Sequence, residues 1–470
     1  MRLVMKFGGT SVANADAILR AVNILRAHRL QGHEIVVVTS ALPEVTDELM
    51  SVSQAAVDGN LEMMNKFLEK NLELHQQTAR NCIRDSEILR SVINQLNETL
   101  RELGEILRSV AHLRELTSRS KDFILSFGER LSAPILCGAM NDLGLKAEWF
   151  TGGEAGITTD ENFGEAKPLL NVTTQRVKAK LEPLLKAGRL PVIAGYGACS
   201  PHGLTTTLGR GGSDYTATLI GASLDADEIS IWKDVEGLMT ADPKIEPDAK
   251  VIHQISYDEA SEMAYFGAKA IHPRALDPVV AKQIPVRVRS SLHEEDEGTL
   301  ICSGATVRSG SIVKAVTLVR DVALISVRGA GMVGVPGVAA KVFKLLGDAG
   351  INILMISQSS SEAGISFVAG RNKLPAATNA LEVGLLGKEL VENISTENDV
   401  SVVAAVGAGM KGAPGVAARV FKAVAERKIN VRMIAQGSSE LNISFVVAEQ
   451  DGREAVRALH HEFELGKSQC

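Results

Sequence analysis

A lysine and two glycines near the start of the chain are the first residues whose types and spacing suggest chemistry: Lys6, Gly8 and Gly9 in KFGGTS. The apolar residues around Lys6 predict a β-strand, and open α/β sheets bind ligands at the carboxyl ends of their strands. Glycines let a backbone approach a phosphate without an intervening Cβ. Their N–H groups, with those of a helix start near Thr10, would face the anion. The lysine precedes the glycines, so this is not the P-loop G-x-x-x-x-G-K-[ST]. The alternative, a turn with a surface lysine, does not explain a lysine on an apolar strand.

Two further stretches place charged side chains next to predicted helices. LGRGGSDYTA contains Asp214 and predicts a helix capped near Ser213, where a carboxylate favours the helix dipole in any protein. SFGERLS contains Glu129 and Arg130, which without further context would be a solvated helix pair. Each stretch therefore has a purely structural interpretation when it is considered alone.

The elements that must position these residues alternate between short apolar strands and helical stretches, which predicts an α/β sheet covered on both faces. The segment from Thr46 to His112 is rich in helix formers and predicts a large helical excursion. The predicted strands are RLVMKF (2–7), EIVVVTS (34–40), PVIAGYG (191–197), EISIWK (228–233) and IPVRVRS (284–290).

The C-terminal part of the chain contains an internal repeat, because the stretch from Asp321 recurs from Asp399 at an offset of 78 residues (399 − 321). Each copy predicts the order strand, helix, strand, strand, helix, with the last two strands as an antiparallel hairpin. Pro336 and Pro414 suit the first turn of the helix, where the missing N–H costs nothing. A duplication of this length predicts two copies of one small domain and not a solenoid.

Both copies also contain G-x-G-x-x-G between a strand and a helix, in GAGMVG (329–334) and GAGMKG (407–412), so an oxidoreductase must be weighed. A dinucleotide-binding fold continues with a parallel strand that ends near an acidic residue. Here the second strand enters a hairpin, and Glu362 and Glu440 lie beyond it in the turn. We therefore reject dinucleotide binding.

The repeat resembles a tandem pair of ACT domains, the small-ligand modules of amino-acid biosynthetic enzymes; a plain dimerisation domain is the alternative. The resemblance implies an amino-acid effector, with threonine preferred over lysine, and a homodimer or tetramer formed through ACT domains. Amide side chains suit such a site because they offer donors and an acceptor to a zwitterion. The matching effector positions are Gly331, Met332, Asn352, Gln358, Gly409, Met410, Asn430 and Gln436.

Five stretches resemble, in order, the aspartokinase branch of the amino-acid kinase family: KFGGTS, VTSALPEVTDEL, SFGERLS, TTLGRGGSDYTA and YFGAKAIHPR. With the repeat, the resemblance covers nearly the full chain. It implies ATP-dependent phosphorylation of L-aspartate to 4-phospho-L-aspartate, the entry to lysine, threonine, methionine and isoleucine synthesis. Mg²⁺ would be carried on the ATP phosphates, because the sequence shows no dedicated carboxylate cage. The implied fold is an N-terminal α/β/α sandwich with a helical excursion, followed by two α+β ACT domains.

The resemblance assigns Lys6, Asp214 and Lys269 to catalysis. The aspartate carboxylate is already ionised at neutral pH and needs no general base, so Asp214 is interpreted as an organiser that holds the two lysines. The lysines would neutralise charge on the transferring phosphoryl group. Arg210 would bind the α-carboxylate in a bidentate manner, and Glu129 would bind the α-ammonium. The full set of substrate positions is Ser40, Thr46, Glu129, Arg210 and Ser213.

The nucleotide side departs from the pattern of relatives, which commonly read WTDVxGVYTTDPR where this chain reads WKDVEGLMTADPK. Lys233 replaces threonine, Met239 replaces tyrosine and Lys244 replaces arginine. Methionine can pack against an adenine but offers no hydroxyl. The positions matched to nucleotide binding are Lys6, Gly8, Gly9, Thr10, Lys233, Asp234, Met239, Lys244 and Lys269.

Composition argues against other classes of protein. A net charge of −6 argues against nucleic-acid binding, and no uninterrupted apolar run is long enough to span a membrane. Five scattered cysteines without a C-x-x-C pair predict neither a zinc site nor a disulfide framework. The N-terminus does not resemble a signal peptide, and we expect a cytoplasmic protein. The expected domains are the kinase at 1–303 and ACT domains at 304–390 and 391–470, without the fused homoserine dehydrogenase of some relatives.

Two alternative functions follow from the same residues. A kinase for another carboxylate, such as N-acetylglutamate, would leave Glu129 without an ammonium to bind. A catalytically weak or dead amino-acid sensor is suggested by Lys233 and Met239. A degenerate kinase would more readily lose Lys6, Asp214 or Lys269, and all three are present.

Overall fold

The computed structural model describes residues 1–268, 271–304, 312–385 and 391–467. These residues fold into two compact units. The first contains Met1–Leu238, His253–Tyr257 and residues 271–304. The second contains Met239–Ile252, Asp258–Ala268 and the described residues from 312 onward. Two segments within the expected kinase range 1–303 therefore pack with the second unit: Met239–Ile252 and Asp258–Ala268.

The first unit is built around a sheet, and its strands in the described residues are β1 (Arg2–Phe7), β2 (Glu34–Thr39), β3 (Ala147–Thr151), β4 (Leu190–Ala194), β5 (Gly197–Cys199), β6 (Thr205–Thr207), β7 (Glu228–Lys233), β8 (Gln254–Ser256), β9 (Val286–Ser290) and β10 (Thr299–Cys302). The order in the large sheet is β3-β4-β2-β1-β7-β9-β10-β8, and β5 and β6 form a separate hairpin. Neighbouring strands are parallel except β9 and β10. Five of the six residues of β1 and of β2 are buried, as expected for strands with helices on both faces. The α/β class is confirmed, and β1 and β7 lie side by side at the centre.

The helices up to residue 280 are α1 (Ala15–Leu30), α2 (Val45–Asp58), α3 (Leu61–Cys82), α4 (Ser86–Leu113), α5 (Ser118–Leu125), α6 (Phe127–Asp142), α7 (Leu170–Lys186), α8 (Gly212–Leu224), α9 (Tyr257–Tyr265) and α10 (Asp277–Val280). The predicted helical excursion is confirmed as α2, α3 and α4. The side chains of Asn60 and Asp85 accept hydrogen bonds from the first backbone N–H groups of α3 and α4, which fixes where those helices begin.

One segment of the first unit, Ser118–Asp142, is apolar and long enough to cross a membrane by length and composition. However, 89% of its most apolar window is buried inside the protein. Its helices α5 and α6 therefore have the character of core helices, and they place Glu129 in the interior.

The second unit contains, besides α9, the elements β11 (Ala315–Arg328), α11 (Val338–Asp348), β12 (Ile353–Gln358), β13 (Gly364–Gly370), α12 (Leu374–Leu385), β14 (Asn393–Val406), α13 (Val416–Glu426), β15 (Met433–Ala435), β16 (Asn442–Ala448) and α14 (Gly452–Glu462). The predicted order strand, helix, strand, strand, helix is confirmed in both copies, and so are the antiparallel hairpins β12–β13 and β15–β16.

The two copies interleave through their long first strands. β11 and β14 run antiparallel along each other, from the pair Ala315↔Val406 to the pair Arg328↔Asn393. β13 pairs only with the second half of β11, and β16 pairs only with the second half of β14. Each copy therefore completes its sheet with the first half of the other copy's strand, in the order β12-β13-β11-β14-β16-β15.

The prediction for Pro336 and Pro414 was wrong by two residues. The helices begin at Val338 and Val416, and the residues before them, Gly337 and Gly415, have φ angles of 89° and 87°. This left-handed backbone favours glycine. Each proline therefore lies before the glycine at the helix N-cap and not within the first turn of the helix.

Candidate active site

Lys6 and Asp214 form a buried ion pair at the carboxyl end of the central strands. Lys6 is the next-to-last residue of β1, and Asp214 lies in the first turn of α8. The Lys6 Nζ lies 2.5 Å from Asp214 Oδ1, and each residue is 4% exposed. The structure thus brings together two of the three residues expected to be catalytic; the third, Lys269, lies outside the described residues.

A second lysine, which the sequence analysis had assigned only to the nucleotide, engages the same carboxylate. Lys233 ends β7, and its Nζ lies 3.0 Å from Asp214 Oδ2. The parallel register sets Phe7 of β1 beside Trp232 of β7, so the ends of the two strands lie next to each other. A Cβ on Gly8 would lie 3.6 Å from Lys6 Nζ and 3.7 Å from Lys233 Cγ. Gly8 therefore leaves the room in which the two lysine side chains converge.

The charges of this cluster keep Asp214 ionised. Burial raises the pKa of Asp214, but the positive charges of Lys6 and Lys233 bring it down to about 2. Burial lowers the pKa of Lys6, Asp214 opposes that change, and Lys233 adds to it. A carboxylate with this pKa cannot act as a general base near neutral pH. The electrostatics therefore favour an organising role for Asp214.

Glu129 is buried in the same region, and one of its carboxylate oxygens is available to accept a hydrogen bond. It is 4% exposed, and its Oε1 accepts a hydrogen bond from Ser213 Oγ at 3.2 Å. Burial raises the pKa of Glu129 to about 7, while the Ala41 backbone, the Ser213 hydroxyl and the charge of Lys6 act in the opposite direction. Its Oε2 is buried without a hydrogen-bond partner among the described residues. A positively charged ligand group would supply the missing partner.

Ser213 is not the helix cap that the sequence predicted. α8 begins at Gly212, and its N-cap is Gly211 with a φ of 74° and no side-chain hydrogen bond. Because the left-handed glycine makes the turn, the Ser213 hydroxyl is free to donate to Glu129.

Ser40 and Thr46 lie on the Glu129 side of the site. Ser40 follows β2, and its carbonyl accepts a hydrogen bond of 2.7 Å from the Ser132 hydroxyl of α6. Thr46 lies in the first turn of α2, and its Oγ1 would be 3.6 Å from a Cβ on Gly128, the residue before Glu129. Four of the five expected substrate positions are therefore near one another.

Arg210, the fifth, is exposed in the loop between β6 and α8. Its neighbours Gly209 and Gly211 both have left-handed backbones, with φ angles of 75° and 74°. Among the described residues no hydrogen bond or ion pair engages its guanidinium. The arginine is thus available to an incoming carboxylate.

The expectation that the glycine N–H groups face an anion was wrong for Gly8. Its N–H donates to the Trp232 carbonyl at 2.9 Å, which ties β1 to β7. A Cβ on Gly9 would lie 3.0 Å from the Ala41 carbonyl oxygen. Here the glycines are needed for close packing of the backbone, while Thr10 is exposed in the following turn.

The remaining nucleotide positions are dispersed over the two units. Asp234 is exposed directly after β7 in the first unit. Met239 and Lys244 belong to the second unit, where Met239 packs against the hydrophobic core and Lys244 is exposed.

The expected effector positions separate into buried and exposed residues. Met332 and Met410 are only 2% and 3% exposed and pack into the two hydrophobic cores of the second unit, so their side chains are not available to a ligand. The positions that are exposed are Asn352, Gln358, Gly409, Asn430 and Gln436, and Gly331 is half-buried.

The glycine-rich loops of the two copies are held differently. In the second copy, the Ala408 N–H donates to Glu259 Oε1 of α9 at 2.7 Å. Glu259 also forms an ion pair of 2.9 Å with Lys314, and both side chains are at least 97% buried. In the first copy, the equivalent Ala330 N–H donates to Glu392, an exposed residue. The second loop is therefore fixed by a buried charge, and the first is not.

The sequence and the structure match known families. The sequence profile of the amino acid kinase family matches residues 1–290, and that of the ACT domain matches 325–384 and 403–463.

The chain is 33% identical over 475 residues to bifunctional aspartokinase/homoserine dehydrogenase 2, chloroplastic, of Arabidopsis thaliana, covering 99% of this chain and 51% of that protein. The chain thus spans about half the length of this relative. It is 32% identical to aspartokinase 1, chloroplastic, of the same plant, covering 98% of this chain and 80% of that protein.

Escherichia coli aspartokinase III has a similar solved structure in two complexes. The R-state with aspartate and ADP has a TM-score of 0.81 and 28% identity, and the T-state with lysine and aspartate has a TM-score of 0.78 and 29% identity. Each match covers 98% of this chain and 99% of the solved chain. The family matches, the coverage and the fold agree: the chain belongs to the amino acid kinase family, in its aspartokinase branch, and carries ACT domains after the kinase region.

Proposed function

We propose that this protein is an aspartate kinase, which transfers the terminal phosphoryl group of ATP to the side-chain carboxylate of L-aspartate and forms 4-phospho-L-aspartate. This is the first step towards lysine, threonine and methionine. The observation that carries the proposal is the buried cluster of Lys6, Lys233 and Asp214 beside the free oxygen of Glu129.

The cluster has the charge that phosphoryl transfer requires. Two ammonium groups share one carboxylate, so the three side chains carry a net positive charge in a buried place. A transferring phosphoryl group spreads negative charge over its oxygens, and fixed positive groups stabilise that charge. Lys269 belongs to the same proposal, on the resemblance of its sequence stretch.

The absence of a free general base in this cluster agrees with a carboxylate acceptor. Asp214 is held ionised by two lysines, and its pKa is about 2. The side chain of free aspartate is also ionised at neutral pH, so it can attack phosphorus without losing a proton.

Glu129 supports a substrate with a free ammonium group. Its unpartnered oxygen and its pKa of about 7 describe a carboxyl group that ionises fully when a cation arrives. Ser40, Thr46 and Ser213 would bind polar atoms of the substrate, and Arg210 would bind its α-carboxylate. N-acetylglutamate has no free ammonium, which makes it the weaker candidate.

Magnesium enters the proposal on the phosphates of ATP. Both Asp214 oxygens face lysine ammonium groups and so are not free to bind a metal ion. The metal would neutralise phosphate charge, while Lys6 and Lys233 orient the same anion. On the resemblance, the further nucleotide positions in the first unit would be Gly9, Thr10 and Asp234, with Gly8 acting through the room that it leaves for the two lysines.

Regulation is proposed through the ACT domains. The effector is an amino acid, with threonine preferred over lysine, and the protein is a homodimer or tetramer in the cytoplasm. Exposed amide side chains in both copies support a zwitterionic ligand, and the free thiols of the described cysteines support a reducing compartment.

Trapping of the acyl phosphate with hydroxylamine tests the activity. Aspartate, glutamate and N-acetylglutamate are compared under identical conditions with ATP and Mg²⁺. A hydroxamate formed with aspartate alone supports the proposal. A product from N-acetylglutamate would favour the other kinase, and the lack of any product would favour an amino-acid sensor.

A further inference from the structure

Lys233 is held in place by more contacts than a surface lysine would be. Its carbonyl accepts hydrogen bonds from the Ser291 N–H at 2.8 Å and the Ser291 hydroxyl at 3.1 Å. The preceding residue, Trp232, is fully buried, stacks with Phe7 at 6.1 Å and accepts from the Gly8 N–H. The backbone at the end of β7 is therefore fixed next to the end of β1.

The side chain of Lys233 is directed inward. It is 17% exposed, and its ammonium engages one oxygen of Asp214 while Lys6 engages the other. This division leaves each lysine with one oxygen of the carboxylate. Since an ammonium group has three N–H donors, Lys6 keeps donors that its contact with Oδ1 does not use.

A purely structural ion pair does not explain this arrangement. Buried ion pairs are costly unless their charges balance, and here a second lysine adds a positive charge that one carboxylate cannot balance. Among the described residues, Glu129, whose own pKa is about 7, also acts on Lys6, and the imidazole of His272 is the further titratable group that Asp214 acts on. An anionic ligand would balance the excess charge.

We propose that Lys233 is a positioning residue for phosphoryl transfer: it holds Oδ2 of Asp214, so that Asp214 binds Lys6 through Oδ1 alone and leaves its ammonium to the transferring phosphate. The inference rests on the proposed function, and it adds a residue where the family pattern has an uncharged threonine. Without Lys233, both Asp214 oxygens would compete for Lys6, and the reacting phosphate would lose a correctly directed cation.

The variant Lys233→Met tests this role, because methionine keeps the length of the side chain and removes its charge. We expect kcat to fall by roughly tenfold or more, while KM for aspartate changes by less than about threefold. Lys233→Arg should recover part of the lost kcat.

Lys186→Met is the matched control, because Lys186 is exposed at the end of α7; its kinetics should equal those of the original enzyme. Thermal unfolding of each variant reports folding, and Lys233→Gln replaces Lys233→Met if the latter does not fold. Unchanged kcat in Lys233→Met, or a fall in kcat that Lys233→Arg does not partly reverse, would overturn the role of Lys233 and leave the aspartate kinase activity standing. Failure of the unsubstituted protein to form the hydroxamate with aspartate would overturn both proposals.

Discussion

At the scale of single residues, the central feature is a carboxylate for which we propose an organising role without proton transfer. Asp214 is ionised, buried and shared by two lysines. In the proposed mechanism it fixes where the positive charges lie before the substrate arrives, which is how preorganised electrostatics lower a barrier.

Lys6→Met should reduce turnover by at least about a hundredfold, because the transferring phosphoryl group loses a fixed positive charge. Binding of aspartate, measured by isothermal titration calorimetry, should largely survive, since Glu129 and its neighbours are unchanged. Turnover that remained intact would remove Lys6 from the proposed mechanism.

Glu129→Gln should raise KM for aspartate by roughly tenfold or more, because the substrate ammonium loses its charged partner. In the original enzyme, kcat/KM for aspartate should rise as the pH passes about 7, where Glu129 ionises. The variant should lack this rise, and a pH profile with the same rise in both proteins would contradict the assignment.

The ionisation of Glu129 should also affect the stability of the protein without substrate. Its effect on stability should be opposite to its effect on kcat/KM. The pKa of Glu129 is raised from 4.5 to about 7 on folding, so the folded state binds more protons than the unfolded state between these values. The free energy of unfolding should therefore decrease as the pH rises through this window. Glu129→Gln should remove that part of the decrease, as measured by urea unfolding at several pH values.

At the scale of elements, the sequence predicted the strand that ends at Lys6 and the helix that carries Asp214, because both have clear local patterns. The pairing of β1 with β7 could not be read from local patterns, because the paired residues Lys6 and Ile231 lie 225 positions apart in the chain (231 − 6) and the register follows from the whole sheet. This is why Lys233 was assigned only to the nucleotide. The available signal was that two predicted strands carry a lysine at their carboxyl end, Lys6 as the next-to-last residue of one and Lys233 as the last residue of the other.

The helix α9 provides a prediction about the second unit. Glu259→Gln should lower the free energy of unfolding by about 3–5 kcal/mol, because the buried ammonium of Lys314 would lose the negative charge of Glu259. The matched control is Glu392→Gln, which alters the equivalent contact of the first copy at an exposed position and should change stability by less than about 0.5 kcal/mol. If chemical unfolding showed the same loss of stability for both variants, the two glycine-rich loops would not differ in how firmly they are held.

At the scale of the whole molecule, the sequence revealed two related copies but not how they share strands. The repeat predicted each copy's order of elements correctly, yet the antiparallel pairing of β11 with β14 joins segments 78 residues apart. Two segments within the expected kinase range, 239–252 and 258–268, also pack with the second unit. Neither feature has a local signature, because both depend on contacts between distant parts of the chain.

The different contacts of the two glycine-rich loops lead to a prediction for regulation. Titration of activity with threonine and with lysine should show inhibition by one of them, with threonine expected. Asn352→Ala in the first copy should weaken that inhibition more than Asn430→Ala in the second, because the second loop is already fixed by Glu259. A stronger effect of Asn430→Ala, with unchanged activity in the absence of effector, would contradict this expectation.

The most direct test of the central claim follows an oxygen atom from substrate to product. L-aspartate with heavy oxygen in its side-chain carboxylate is incubated with the enzyme, ATP and Mg²⁺, and the acyl phosphate is observed by phosphorus NMR. We predict that the labelled oxygen bridges carbon and phosphorus, because the ionised side chain attacks the phosphoryl group held by Lys6 and its neighbours. Release of ADP and phosphate without any labelled phosphorus–oxygen bond would contradict the account.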